Sequence, residues 1–385
     1  MDYTAYARSI RRELHQYPEI GFDLPKTLAV VRRELDAMGI PYTEKYGRSS
    51  IVATINEGKG HFTIGLRADM DALPVQEPEG CEFRSEIDGQ MHACGHDIHT
   101  ANLLAVARQL KDRQEEFNCC VKLLFTPAEE YITPGCKEMA ENGVMDDIDC
   151  ALALHTDPFN KAGTVIIGAG GINANSMGFT IEFFGTSAHA NRQQLGHDAI
   201  AMAVQAHTAI SQMMSKEFNP VEPRLLNIGA IEGGKTNNII CNYCKMFGTN
   251  RTFSDDVSDK IITRVRQICE GIAAMNGGRC EVKVTKYVPY VYNDPVVTER
   301  VRAAAEKVVG PEKIRPKERT MGGEDFAFFT RRKPCMAYQI GTQNDDPRSA
   351  LPLHNPNIIF DEACFGPAMG VMVQFVLDNQ NGIQF

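Results

Sequence analysis

The chain has 385 residues, of which 43% are hydrophobic and 23% are charged, so it is long enough for two or three domains that each bury a core. Forty Lys and Arg residues against 49 Asp and Glu residues give a net charge of −9, which disfavours binding to nucleic acid or to an anionic membrane. Residues 1–18 mix charged and apolar side chains, a pattern that predicts neither a signal peptide nor a membrane span, and we expect a cytoplasmic protein. Its twelve cysteines are therefore expected to be mostly buried thiols and not disulfides.

The first part of the chain predicts helices that alternate with strands. Apolar residues recur at three- and four-residue steps within residues 2–38, which indicates two helices. The elements that follow are strands at Ser50–Ile55, Phe62–Leu66, Val121–Phe125 and Cys150–Leu154, with a helix at Thr100–Arg113. This alternation predicts a doubly wound α/β sheet, whose last strand is apolar throughout and buried on both faces.

After Gly168–Gly171 the predicted order changes to β-α-β-β-α-β, which is typical of a ferredoxin-like unit. Its strands are Met177–Phe184, Arg224–Ile231, Ile239–Gly248 and Cys280–Tyr287, and its helices are Asp198–Met214 and Val257–Met275. A helix at Val296–Val309 and a strand at Cys335–Ile340 then return to the larger sheet. We predict an α/β domain with a mixed, mainly parallel sheet at residues 1–174 and 291–385, interrupted by an α+β domain at residues 175–290.

Polar side chains follow three strands of the larger predicted sheet, where ligands of open α/β sheets bind. Asp69 and Asp71 follow the second strand, Glu129 and Glu130 the third, and His155 the fourth, while Cys94 and His96 precede the helix. Each alone has an ordinary explanation, such as a turn cap, a solvated pair or a small buried thiol. Their joint placement favours a site for a divalent ion of the zinc or manganese kind.

Seven segments in a fixed order carry a resemblance to a known family: Glu13–Glu19, Gly65–Pro74, Met91–His99, Pro127–Glu130, Gly185–Ala190, Met321–Phe326 and Leu353–Pro356. The chain resembles the dinuclear metallohydrolases that include aminoacylases, bacterial glutamate carboxypeptidases and plant indole-acetyl-amino-acid hydrolases. It is most similar to the amidohydrolase branch, in which a Cys replaces the usual metal-bridging Asp.

The resemblance implies a centre of two divalent ions, Mn or Zn with Co or Ni as alternatives, bridged by Cys94. Glu130 and His354 would complete the ligands of one ion, and His96 and His155 those of the other. Glu129 would be the general base that activates the bridging water and then protonates the leaving amine. Asp69 would orient a ligand imidazole, because Arg67 stands where many relatives have a metal His; His92 and His99 are expected outside the ligand set, and His15 has no assigned role.

The resemblance also gives roles to the inserted domain, which would be a lid and would form a homodimer. His189 would reach the partner subunit's site and hydrogen-bond the developing oxyanion. Arg251 and Asn238 would bind the free carboxylate of the substrate, together with Gly323. The implied reaction is hydrolysis of an N-acyl or N-aroyl amino acid to a carboxylic acid and a free amino acid.

Other interpretations remain open or are disfavoured by the sequence. A dipeptidase or carboxypeptidase would use the same centre, and an inactive binding relative is disfavoured because Glu129 and all five presumed ligands are present. Residues 229–236 match the P-loop pattern, but a strand and not a helix is predicted after Thr236. Cys241 and Cys244 have the spacing of a zinc-knuckle or redox motif. Residues three apart in a strand face opposite sides, which disfavours a shared ion.

Overall fold

The computed structural model describes residues 1–131 and 133–385, which form two compact units. The first unit comprises Met1–Ile172, Tyr292–Glu318 and Asp325–Phe385, and the second comprises Asn173–Val291 and Arg319–Glu324. These limits differ from the predicted domain boundaries chiefly at residues 319–324. That segment joins the second unit, where Ala174 N–H donates to the Thr320 carbonyl oxygen (2.9 Å).

The described residues contain fourteen strands and nine α-helices. The strands are β1 (Tyr42–Thr43), β2 (Ile51–Ile55), β3 (Thr63–Asp69), β4 (Cys120–Thr126), β5 (Cys150–Lys161), β6 (Val165–Ile167), β7 (Gly170–Asn173), β8 (Ser176–Phe184), β9 (Arg224–Gly233), β10 (Tyr243–Thr252), β11 (Arg279–Val288), β12 (Val291–Asn293), β13 (Ile314–Pro316) and β14 (Cys335–Gln343). The helices are α1 (Tyr3–Gln16), α2 (Pro25–Met38), α3 (His96–Asp112), α4 (Gly135–Glu141), α5 (Ala199–Lys216), α6 (Asp255–Met275), α7 (Pro295–Val309), α8 (Ala327–Thr330) and α9 (Phe365–Asn379).

An eight-stranded mixed sheet forms the centre of the first unit, in the order β1-β2-β4-β3-β5-β14-β6-β13. β3 pairs in parallel with both β4 and β5, and β5 with β14, whereas β2 runs antiparallel to β4. Every residue of β4 is buried, as expected for a central strand covered on both faces. The predicted mixed, mainly parallel α/β sheet is confirmed.

The helices bury this sheet by their apolar faces. α1, α3 and α9 contribute to one continuous core, in which Leu14, Leu104 and Phe375 are almost completely buried. α9 and the short strands β6 and β13 were not predicted from the sequence. Helix α3 begins at His96, four residues before its predicted start, which puts a candidate ligand in its first turn.

The second unit has a four-stranded antiparallel sheet in the order β11-β8-β10-β9, with α5 and α6 packed on it around a separate core. The chain order β8-α5-β9-β10-α6-β11 is the predicted ferredoxin-like arrangement. β10 begins at Tyr243, four residues later than predicted, so Asn238 lies in the preceding connection. Among the described residues, no helix combines the length and apolar character that crossing a membrane requires.

Candidate metal centre

The carboxyl ends of β4, β3 and β5 are adjacent and carry most of the candidate site residues. Asp69 is the last residue of β3 and lies opposite Thr126, the last residue of β4. Glu129 and Glu130 come directly after β4, and His155 lies within β5. The parallel pairing therefore gathers side chains that are far apart in the sequence.

The five predicted ligands form two groups that share one thiol. Cys94 is grouped with His96 and His155, and also with Glu130 and His354; within each group the ligand atoms lie within 4.8 Å of one another. Cys94 Sγ is 3.5 Å from His155 Nε2, and His354 Nε2 is 2.9 Å from Glu130 Oε1. Two clusters joined at a sulfur atom have the donor chemistry of a pair of divalent ions bridged by a thiolate.

Backbone carbonyl groups orient the two imidazoles on the β5 side. His96 Nδ1 donates to the Asp71 carbonyl oxygen (2.8 Å), and His155 Nδ1 donates to the Thr156 carbonyl oxygen (2.8 Å). Each Nε2 is therefore the atom available to an ion, and His96 Nε2 is buried without a hydrogen-bond partner among residues 1–131 and 133–385. A buried ring nitrogen without a hydrogen-bond partner fits the role of a metal ligand.

The pKa shifts of Cys94, His155 and His96 also favour a metal-binding site. Burial and the nearby Glu130 carboxylate raise the pKa of the Cys94 thiol well above its ordinary value, so a thiolate there requires a cation. Burial and the His99 ring lower the pKa of His155 to about 3, leaving the neutral, ligating imidazole. Burial opposes the charge on His96, but Asp69 and Cys94 raise its pKa well above its ordinary value, so metal binding would release that proton.

Asp71 positions the two glutamates that follow β4. Its Oδ1 accepts the N–H of Glu129 (3.0 Å), and its Oδ2 accepts the N–H of Glu130 (3.1 Å). The preceding Ala128 has φ 58°, and His354 has φ 69°, both in the left-handed region that non-glycine residues seldom adopt. Sequence reasoning considered Asp71 as a turn cap or as one of the polar residues of a metal site, and did not predict that it binds the backbone of the two glutamates.

Asp69 hydrogen-bonds the imidazole of His99, which is outside the predicted ligand set. His99 Nδ1 donates to Asp69 Oδ1 (2.5 Å), and His99 Nε2 accepts the N–H of Thr156 (3.0 Å). Both ring nitrogens of His99 are therefore engaged in hydrogen bonds, whereas His96 Nε2 is 3.8 Å from Asp69 Oδ2. That Asp69 orients a ligand imidazole stays a prediction: its hydrogen bond is to His99, and the hydrogen bond from His96 Nδ1 is accepted by the Asp71 carbonyl oxygen. The His99 ring packs edge-on against His155 with 4.8 Å between centroids.

A buried arginine connects the sheet to a distant motif. Arg67, with 1% of its surface exposed, donates through Nη1 to Asp69 (2.8 Å), through Nη2 to Asp325 (2.6 Å) and through Nε to Thr126 Oγ1 (2.9 Å). Asp325 in turn accepts the N–H of Cys136 (2.9 Å). Arg67 therefore occupies its position as an ion-pair centre and is not itself a ligand.

The four remaining predicted residues lie in the second unit. A Cβ atom at Gly323 would come within 3.3 Å of Arg251 Nη1, so these two candidates are neighbours. Burial lowers the pKa of Arg251, and no carboxylate of the described residues forms an ion pair with it. Asn238 and His189 lie on paired connections, where Ala190 N–H donates to the Asn238 carbonyl oxygen (3.0 Å). His189 is exposed, and its Nδ1 accepts the N–H of Asn191, so in the neutral ring Nε2 carries the proton.

Two sequence patterns carry no such chemistry in the structure. Residues 234–242 contain no helix, so the P-loop pattern lacks the helix that phosphate binding needs. Cys244 is fully buried, whereas Cys241 is partly exposed and donates to the Tyr243 carbonyl oxygen. All twelve cysteines are free thiols, nine of them buried.

Comparison with known proteins identifies the family. The family model for peptidase family M20/M25/M40 matches residues 65–378. The chain belongs to this family. It is 36% identical over 356 residues to an N-acetyl-L-cysteine deacetylase of Bacillus subtilis, covering 92% of this chain and 83% of that one. It is 33% identical to thermostable carboxypeptidase 2 of Saccharolobus solfataricus, covering 92% and 90%.

Solved structures agree with this assignment. The crystal structure of a dinuclear metal-binding peptidase of the M20 family from Bacillus subtilis superposes with a TM-score of 0.83 at 28% identity, covering 98% of both chains. This family member is therefore a hydrolase that acts on amide bonds. The predicted resemblance to dinuclear metallohydrolases is confirmed.

Proposed function

We propose that the protein is a dinuclear metal-dependent amidohydrolase that cleaves N-acyl or N-aroyl amino acids to a carboxylic acid and a free amino acid. The observation that carries the proposal is the pair of ligand groups joined at Cys94, Cys94-His96-His155 and Cys94-Glu130-His354. When bound, the two ions would polarise the scissile carbonyl and lower the pKa of water. Whether Mn or Zn is native depends on supply as well as on these ligands.

Glu129 would be the general base and acid of the reaction. Its carboxylate belongs to a group with His96 and Glu130, whose candidate ligand atoms lie within 4.8 Å of one another. Its backbone is fixed by Asp71, so the carboxylate starts from a defined position beside the candidate ligands. It would accept a proton from the attacking water and deliver that proton to the nitrogen of the departing amino acid.

Arg251 would bind the α-carboxylate that every N-acyl amino acid carries. A half-buried guanidinium without an ion-pair partner in the described chain suits such an anion, because its planar fork binds carboxylate through two hydrogen bonds. Gly323 would leave the space beside Nη1 open, since a side chain there would crowd the guanidinium. Asn238 would add a side-chain hydrogen bond.

His189 would act on a second subunit of a homodimer. Its exposed Nε2–H is a donor suited to stabilise the negative oxygen that develops during attack on the amide. This role requires association through the inserted unit. A monomeric enzyme with full activity would contradict it.

A substrate panel tests the proposal. We expect release of free amino acid from N-acetyl- and N-benzoyl-amino acids, and we expect Arg251→Ala to lower kcat/KM for them by about 100-fold or more, because one bidentate charge-assisted contact is lost. Amides of the same compounds, in which the carboxylate is neutralised, should be poor substrates for the wild type and equally poor for the variant. Unchanged kcat/KM in Arg251→Ala would remove carboxylate recognition from the proposal.

A second candidate is a carboxypeptidase or dipeptidase that uses the same centre. The similarity to a thermostable carboxypeptidase favours it. Dipeptides with a free amino group separate the two activities, because only a peptidase should hydrolyse them faster than the matching N-acetyl amino acid.

A further inference from the structure

A second cluster of charged side chains is buried in the first unit and contains none of the proposed metal ligands. His15 on α1 is 3% exposed and lies between two carboxylates. Its Nδ1 is 2.8 Å from Asp97 Oδ2, and its Nε2 is 3.2 Å from Glu77 Oε1. Although burial opposes protonation, the charge of Asp97 raises the pKa of His15, consistent with an imidazolium between two anions.

Asp97 is the centre of this cluster and receives both of its cationic contacts from α1. Arg11 Nε donates to the same Oδ2 atom that contacts His15, at 2.7 Å. The Asp97 side chain is completely buried, and its Oδ1 has no hydrogen-bond partner within the described residues. A buried carboxylate held on one oxygen and left unpaired on the other is costly, so a purely stabilising role explains it poorly.

The place of Asp97 in the fold links this cluster to the metal centre. Asp97 is the second residue of α3 and directly follows His96, the candidate ligand that begins the helix. The first turn of α3 has no side-chain cap, because the N-cap residue is Gly95. The turn is fixed from the sheet by the Asp71 carbonyl on His96 and by Thr156 Oγ1, which donates to the Cys94 carbonyl oxygen (2.9 Å). From the other side it is fixed by α1 through Asp97.

We propose that His15 and Arg11 are positioning residues that hold Asp97, and through it the first turn of α3, so that His96 and His155 bind one of the two ions with full affinity. This rests on the proposed dinuclear function and assigns a role to the His15 segment. The contacts of Arg11 and His15 with Asp97 act on the residue next to His96, and neither side chain hydrogen-bonds Glu130 or His354. Its loss therefore weakens the ion of the Cys94-His96-His155 group and leaves the ion of the Cys94-Glu130-His354 group in place.

The test measures binding of Mn²⁺ alone to metal-free protein, by equilibrium dialysis with elemental analysis and by electron paramagnetic resonance. Wild type should bind two ions per chain and give the spectrum of a coupled pair. In His15→Ala and in Asp97→Asn, the ion of the Cys94-His96-His155 group should bind about 10- to 100-fold more weakly, as is typical when groups that support a ligand are removed. At a Mn²⁺ concentration that fills only the tighter site, both variants should give the spectrum of an isolated ion.

Tyr6→Phe is the matched control. Tyr6 is also on α1, and its hydroxyl donates to Glu34 on α2 (2.7 Å), so its loss perturbs α1 without touching Asp97. The control should bind two ions as wild type does, even if its melting temperature falls as far as that of His15→Ala. Adding His354→Ala to Asp97→Asn should weaken both ions.

The outcomes separate the two proposals. If wild type itself binds fewer than two Mn²⁺ ions, the dinuclear function fails. If wild type binds two and His15→Ala and Asp97→Asn also bind two with unchanged affinity, or if both ions weaken equally, the positioning role of His15 is refuted.

Discussion

Replacing Arg67 by Met tests the ion-pair network beneath the candidate centre. The side chain is similar in length, but its guanidinium is lost, and with it the charged partner of Asp69 and of Asp325. Asp69 is completely buried and Asp325 is 1% exposed, so water cannot replace the lost bonds. Removing one member of a buried ion pair typically costs about 3–5 kcal/mol of unfolding free energy.

That cost is large compared with the roughly 5–15 kcal/mol by which a domain is stable. For a unit of this size, we expect the melting temperature to fall by roughly 6–20 °C in scanning calorimetry. Arg113→Met is the control, because Arg113 pairs with Glu116 on the exposed surface of the first unit and its loss should leave the melting temperature unchanged.

A compensated variant distinguishes charge from volume in this experiment. Adding Asp69→Asn and Asp325→Asn to Arg67→Met removes the two carboxylate charges that pair with Arg67 and should restore part of the lost stability. A fall of less than about 2 °C in Arg67→Met, or no recovery in the compensated variant, would refute the view that Arg67 is held there by its two carboxylates.

Two further predictions concern the contacts of Asp71 with Glu129 and Glu130, and the reactivity of the cysteine thiols. Asp71→Asn removes one of the two acceptors of the Glu129 and Glu130 N–H groups, so kcat/KM for an N-acyl amino acid should fall about 10- to 100-fold, whereas Asp88→Asn on the surface should have no effect. Burial raises the pKa of Cys119 and Cys364 to about 12, so these thiols should resist alkylation at pH 8 in the folded chain. Mass spectrometry of the native protein should find rapid labelling at no more than the three partly exposed cysteines, and twelve labels in urea; rapid labelling of Cys119 or Cys364 would contradict the packing. The partly exposed cysteines are Cys81, Cys241 and Cys280.

The sequence predicted the candidate site residues better than the hydrogen bonds and ion pairs that hold them in place. β3, β4 and β5 are recognisable because each is an apolar run that ends at polar residues, and parallel pairing then brings those residues together whatever the exact register. The family motifs supplied His354, which no strand pattern would have placed beside Glu130. The β-α-β-β-α-β order of the second unit was similarly readable from alternation of apolar residues.

The supporting contacts could not be read from the sequence, because they depend on three-dimensional distances between residues with several plausible partners. Asp69 and Asp71 both follow β3, yet only the folded chain shows that one bonds His99 and the other bonds two backbone N–H groups. Arg67 was noticed as a departure from many relatives, but its contact with Asp325 spans 258 positions. The strand that contains Arg251 begins at Tyr243, later than the alternation of apolar residues indicates, and Asn238 lies in the connection before it.

The central claim is that Glu129 performs proton transfer at a two-ion centre that it does not itself assemble. The most direct measurement is the rate of amino-acid release from an N-acetyl amino acid by Glu129→Gln, with two ions per chain verified in the same sample. The account predicts that kcat falls by about 10²- to 10⁴-fold, as expected for loss of a general base, while the metal content is unchanged. A Glu129→Gln enzyme that holds two ions and turns over at the wild-type rate would contradict it.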